Sequence, residues 1–175
     1  AEYAEIREYM FNMKALGSMR LLWSAGPAAE KSNVCAYNCA YVAPSKWQDF
    51  AEIMYVLMCG TGMGYSVEHQ TVELLPIIKR QTGESRPRFV IPDSREGWSD
   101  ALAHGLDTWS LGQEVEFDYS DIRPQGARLK TMGGRASGPE PLRRLLEFTR
   151  QKLLARQGRR LSTIDVHDII CKIGE

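Results

Sequence analysis

Two groups of residues in this sequence are of types and spacings that could do chemistry. The first is the stretch from Asp118 to Leu142, DYSDIRPQGARLKTMGGRASGPEPL. Between Asp121 and Glu140 it carries the cations Arg123, Arg128, Lys130 and Arg135, and no acid. Gly126, Gly133, Gly134, Gly138 and Pro139 punctuate its backbone. Glycines let a backbone take positive φ or come close to a ligand. Ser137-Gly138-Pro139-Glu140 reads as a capping box that opens an amphipathic helix. A basic, glycine-rich loop entering a helix N-terminus can hold phosphates, because unpaired N–H groups and the helix dipole both face that point. The same composition also suits a basic, solvated surface loop.

The second group is built on cysteine. Cys39 lies in Ala36-Tyr37-Asn38-Cys39-Ala40-Tyr41, which reads as a strand. A free cysteine is commonly a buried structural thiol. The alternative is a redox thiol, which needs exposure and a partner sulfur. Cys35 is near in sequence, but four residues of extended chain separate the two Cα atoms by more than about 7 Å, too far for a bridge unless the segment turns. Cys59 and Cys171 complete the set, and His69, His104 and His167 are scattered, so no second Cys or His pair completes a zinc site.

The elements that must hold these residues follow from periodicity and caps. Residues 2 to 16 have helical spacing, with Ile6, Met10, Met13 and Leu16 on one face and Gly17 as the stop. Met19 to Trp23 reads as a short strand, and 28 to 33 as a loop. Tyr37 to Val42 reads as a second strand. Ser45-Lys46-Trp47-Gln48 reads as a capping box before a helix that buries Phe50, Ile53, Met54 and Leu57. Gly60-Thr61-Gly62-Met63-Gly64 follows that helix and enters a strand, the reverse of the dinucleotide-binding order. Its glycines serve close approach to a ligand or tight packing at a strand start. Residues 70 to 92 read as a hairpin-like excursion. Asp93-Ser94-Arg95-Glu96 caps a helix through about Trp109, Val115 to Tyr119 is a strand, and helices follow from Leu142 and from Ser162. Short strands alternating with capped helices predict an α/β layer or barrel.

The chain has 175 residues, 43% hydrophobic and 25% charged, which suits one domain with a sizeable core. Twenty-two basic and 22 acidic residues cancel. Whole-molecule charge therefore steers nothing towards nucleic acid or membrane, and an anion site must be local. No apolar run approaches a membrane span. The N-terminus is acidic and amphipathic, unlike a secretory signal, so a cytoplasmic protein is expected. It carries no initiator Met, which is the expectation for a piece of a longer polypeptide.

Six segments give the chain a resemblance: SMRLLWSAG (18–26), NCAYVA (38–43), GTGMGYSVE (60–68), IPDSREGW (91–98), YSDIRPQGARLKTMGGRASGPEPL (119–142) and GRRLSTIDVHDIICKIG (158–174). Together they resemble the catalytic chain of ribonucleotide reductases, most closely the adenosylcobalamin-dependent (class II) type. The resemblance implies one partial domain, the early part of a ten-stranded α/β barrel, with residues 69–116 a variable excursion. It implies thiyl-radical reduction of a ribonucleotide, with two cysteines delivering reducing equivalents and ending as a disulfide. Cys39 matches the first of that pair. Its partner and the radical cysteine would lie beyond Glu175. Ser18, Met19, Asn38, Thr61 and Gly62 match positions around the substrate. Arg123, Lys130, Gly133, Gly134, Arg135 and Ser137 match a deoxynucleotide effector site and the first specificity loop. The implied cofactor is adenosylcobalamin, held mostly by residues outside this chain. The implied partners are the remaining reductase polypeptide and a thioredoxin-like or dithiol reductant. Two other readings stand beside this one: a nucleotide-binding regulatory module without chemistry, and the corresponding part of a class I reductase.

Overall fold

The architecture is that of a computed structural model, described over residues 2–129 and 133–175. Three helices come first: α1 (Glu2–Phe11), α2 (Met19–Ser24) and α3 (Pro27–Lys31). α1 buries no residue. It stops at Phe11 rather than at Gly17, and Met13 takes φ 58 just beyond it. The expected strand at Met19–Trp23 is helix α2, started by Ser18, whose hydroxyl accepts the Leu21 N–H. A short apolar run does not by itself separate strand from helix, and the Ser18 cap decides it here. The expected loop at 28–33 is mostly α3, which Pro27 opens, followed by a 3-10 turn at Asn33–Ala36.

The rest is organised as two strand–helix–strand units. β1 (Cys39–Val42), α4 (Trp47–Met58) and β2 (Gly62–Tyr65) form the first. β1 and β2 are parallel, with Cys39 opposite Gly62 and Val42 opposite Tyr65. The α4 cap differs from the expected one by a residue: Lys46 is the N-cap, and Asp49 accepts the N–H groups of Ser45 and Lys46 at 2.7 and 3.1 Å. A carboxylate at a helix N-terminus is a stronger acceptor than the Gln48 amide.

After the short α5 (His69–Val72), β3 (Phe89–Val90), α6 (Arg95–Ser110) and β4 (Phe117–Asp118) form the second unit. The expected hairpin within 70–92 is absent among the described residues. Instead residues 79–91 run parallel to 110–118, through Lys79 N–H to Ser110, Arg86 N–H to Glu114 and Ile91 N–H to Asp118, each at 2.8–2.9 Å. The pairing partner lies across a helix, so nothing local in the sequence marks it. α7 (Glu140–Leu154) and α8 (Thr163–Gly174) complete the chain. Ser162 and Asp165 form the capping box expected for α8. At α7 the expected box is missing: Pro139 is the N-cap, and Ser137 Oγ donates to the Gly138 carbonyl instead. Gly138, at φ +76, turns Ser137 out of the cap position.

α4 packs on α6 and α8, α6 on α7, and α7 on α8. Phe50 and Ile53 of α4, Leu102 and Trp109 of α6, Leu142 of α7 and Ile169 of α8 form the centre of this core. The strand starts and the α6 N-terminus are left at its margin, where the candidate sites lie.

Candidate functional site

The first site is the edge where β1 and β2 begin. Cys39 is exposed and Cys35, four residues earlier, is fully buried in the 3-10 turn, so the two thiols face different environments and are unpaired. Gly62 stands opposite Cys39, and its N–H donates to the Asn38 carbonyl at 2.9 Å. A Cβ on Gly62 would sit 3.9 Å from Cys39 Sγ and 3.5 Å from the Asn38 oxygen. The glycine thus leaves a side-chain-sized space beside the thiol. Thr61 is buried, and its hydroxyl donates to the Val34 and Tyr37 carbonyls, both at 3.0 Å. Those bonds fix the segment that leads into Cys39. Ser18 and Met19 sit at the start of α2, Ser18 as its cap and Met19 85% exposed. α2 reaches the edge through Arg20, whose guanidinium donates to the Gly60 carbonyl.

The second site is a cleft of about 460 Å³ at the N-terminus of α6. Arg123, Arg135 and Ser137, far apart from α6 in sequence, line it. Residues 126–129 pair antiparallel with 134–136, with Gly126 N–H to Ala136 at 2.8 Å and Leu129 N–H to Gly134 at 3.0 Å. Gly133 and Gly134, at φ 73 and 87, begin the returning segment. Lys130 lies outside the described residues. Arg135 spans the pairing to the Gly126 carbonyl, 3.0 Å. Arg123 Nε donates to Asp93 Oδ2 at 2.6 Å, so this guanidinium already holds an acid at the helix start. The cleft therefore combines a long helix's N-terminus and three guanidinium groups with two carboxylates, Asp93 and Glu96, and its donors suit phosphate oxygens.

Sequence reasoning missed most of this cleft's lining, including Lys31, Asp93, Arg95, Glu96 and Trp98. IPDSREGW was legible as a helix cap, but not as a wall facing a loop 30 residues later. A charge signal existed: Asp93 opposes the one cluster that has no acid of its own. A third grouping lies apart. Cys171 Sγ is 3.3 Å from the Tyr65 hydroxyl and 3.7 Å from the His167 ring. The contact with Cys171 pushes the Tyr65 phenol up to about 12. No group of three or more metal-ligating side chains occurs among the described residues.

An exposed thiol at the start of a parallel strand pair and a cationic cleft at a helix N-terminus are both carried on an α/β scaffold. The comparisons with known proteins fit that scaffold. The model of the B12-dependent ribonucleotide reductase insertion domain matches residues 69–153. An adenosylcobalamin-dependent ribonucleoside-triphosphate reductase of Euglena gracilis is 35% identical over 176 residues, covering 94% of this chain and 24% of that one. The enzyme of the same description from Lactobacillus leichmannii is 27% identical, covering 99% of this chain and 31% of that one. The crystal structure of a B12-dependent (class II) ribonucleotide reductase superposes with a TM-score of 0.82 at 26% identity, over 95% of this chain and 31% of that one. The chain belongs to the class II ribonucleotide reductase family, and it spans about a quarter to a third of the length of these relatives.

Proposed function

We propose that this chain forms part of an adenosylcobalamin-dependent reductase that converts ribonucleotides to 2′-deoxyribonucleotides, and that Cys39 is one of its two reducing thiols. The observation that carries the reading is the exposed Cys39 sulfur at the β1 start, with Gly62 keeping space beside it. In the overall reaction the 2′-hydroxyl leaves as water, C2′ gains a hydrogen, and two thiols lose two electrons and become a disulfide. As the family resemblance implies, we assign the second thiol to sequence outside these residues, along with the remainder of the ten-stranded barrel; Cys35 is buried, and Cys171 contacts Tyr65 and His167. The same assignment treats residues 1–175 as one partial domain.

Adenosylcobalamin, when bound, supplies the radical that starts the reaction. The cleft, of nucleotide size and lined by Arg95, Arg123 and Arg135 beside Trp98 and Ile122, suits a nucleotide rather than a corrin ring. We therefore assign most of the cofactor's contacts to the rest of the polypeptide. The cleft takes the phosphates of a deoxynucleotide effector, with Arg123 as the main anchor and residues 130–137 as the first specificity loop. A thioredoxin-like or dithiol reductant would restore the thiols. Among the described residues no helix is long and apolar enough to cross a membrane, and the reading takes the cytoplasm as the working compartment.

The test is turnover by the complete reductase polypeptide with adenosylcobalamin, a ribonucleoside triphosphate and a dithiol. Cys39→Ser should lower deoxyribonucleotide formation by about three orders of magnitude or more, while nucleotide binding persists. Normal turnover by that variant would rule the role out.

A further inference from the structure

Between the cleft and the Cys39 edge runs the turn from Cys59 to Gly62, and one side chain joins it to the cleft. Arg95, the first residue of α6, lines the cleft, and its Nη1 donates to Cys59 Sγ at 3.2 Å. Cys59 is fully buried and ends α4, its own N–H donating to the Tyr55 carbonyl at 3.1 Å. Ser32 Oγ lies 3.7 Å from the same sulfur. Gly60 follows at φ +83, and Arg20 donates to its carbonyl. Thr61 is clamped by its hydroxyl, and Gly62 N–H meets the Asn38 carbonyl directly before Cys39. From the Arg95 guanidinium to Cys39 the path is one side-chain contact, a short hydrogen-bonded turn and one strand pairing.

We propose that Arg95 is a positioning residue that couples occupancy of the cleft to the setting of Cys39, acting through Cys59. This rests on the reading that the cleft binds a phosphate-bearing ligand. A thiol is a weak acceptor, whereas a phosphate oxygen is a strong and charged one. A phosphate in the cleft draws the guanidinium from the sulfur. The turn then loses its hold on α6, and the Gly62–Asn38 pairing passes the change to the strand start. Coupling needs a contiguous element with two arrangements. Here they are Arg95 on sulfur and Arg95 on phosphate.

The experiment measures the alkylation rate of Cys39 by iodoacetamide, mapped by mass spectrometry, in the complete polypeptide with and without deoxyadenosine triphosphate. In the wild type the ligand should change that rate about fivefold or more. Cys59→Ala should bind the triphosphate within about threefold of wild type, yet lose the change at Cys39. Cys59→Ser, which keeps a small acceptor, should restore most of it, and this guards against a packing defect in the alanine variant. An unaltered response in Cys59→Ala, or no response in a wild type that binds the ligand, overturns the coupling and leaves the cleft reading intact. A wild type that binds no triphosphate overturns both.

Discussion

The Cys39 edge and the α6 cleft lie on either side of one turn, and they are built from different materials. The edge is set by backbone: a parallel strand pairing, the Gly62 to Asn38 hydrogen bond, and a threonine hydroxyl spent on two carbonyls. Its reactive group is a single exposed thiol. The cleft is set by side chains from four distant segments, and its cations hold different partners: Arg123 an acid, Asp93, and Arg95 a sulfur, Cys59. A backbone-built site has no alternative partners of its own to exchange, so it shifts only as the turn that carries it shifts. A side-chain-built site can exchange one partner for another, which suits a place where a ligand comes and goes without being changed.

The sharpest way to break this comparison is to crowd the edge. Gly62→Val would place branched carbon against Cys39 Sγ and the Asn38 carbonyl. Turnover should fall by about 10²-fold, the scale of a misplacement near 1 Å, while triphosphate affinity at the cleft stays put. Gly62→Ala meets only ordinary contacts and should keep most activity. Equal damage at both sites in the valine variant would mean that they are not separately built.

At the cleft, Arg123→Ala removes a charge-assisted contact worth about 1.5–3 kcal/mol. Calorimetry should show deoxynucleoside triphosphate binding weakened by roughly one to two orders of magnitude. Basal turnover without effector should change little, because the edge does not depend on this guanidinium. Unchanged affinity would remove Arg123 from the anchor role.

The smallest effect concerns the scaffold behind the cleft. Arg150 donates to both Glu114 oxygens, at 2.9 and 2.8 Å, tying the strand edge to α7. That hydrogen bonding holds the Glu114 carboxyl below its usual range, against the opposing effect of burial. A depressed folded value stabilises the fold at pH above the unfolded value of about 4.3. The contribution is lost as pH falls from there through the folded value. The melting temperature of the wild type should therefore drop more steeply below about pH 4.3 than that of Glu114→Gln. Parallel pH profiles would show that the pair contributes nothing to this dependence.

The same difference in materials decides how much was legible in the sequence. Cys39, Asn38 and Gly62 are close in pattern to the strands that carry them: a short apolar run stopped by Pro44 marks β1, and a glycine run marks the start of β2. The caps at Ser94 and Ser162 were equally plain, since hydroxyl and acid stand at fixed offsets. The cleft was legible on one wall only. Its loop announced itself through glycines and cations, but Lys31, Asp93 and Arg95 reach it through helix packing that no local spacing records. The parallel pairing of 79–91 with 110–118 was hidden for the same reason, its partner lying beyond a 16-residue helix. α2 was misread because its exposed apolar face imitates a strand's run.

The central claim is that Cys39, alone among the four cysteines of this chain, is consumed in the reaction. The direct measurement is a single turnover of the pre-reduced complete polypeptide without added reductant, followed by cysteine mapping. The account predicts Cys39 in a disulfide with a cysteine outside these 175 residues, in proportion to the deoxyribonucleotide formed, with Cys35, Cys59 and Cys171 still thiols. Product formed while Cys39 remains a free thiol would contradict it.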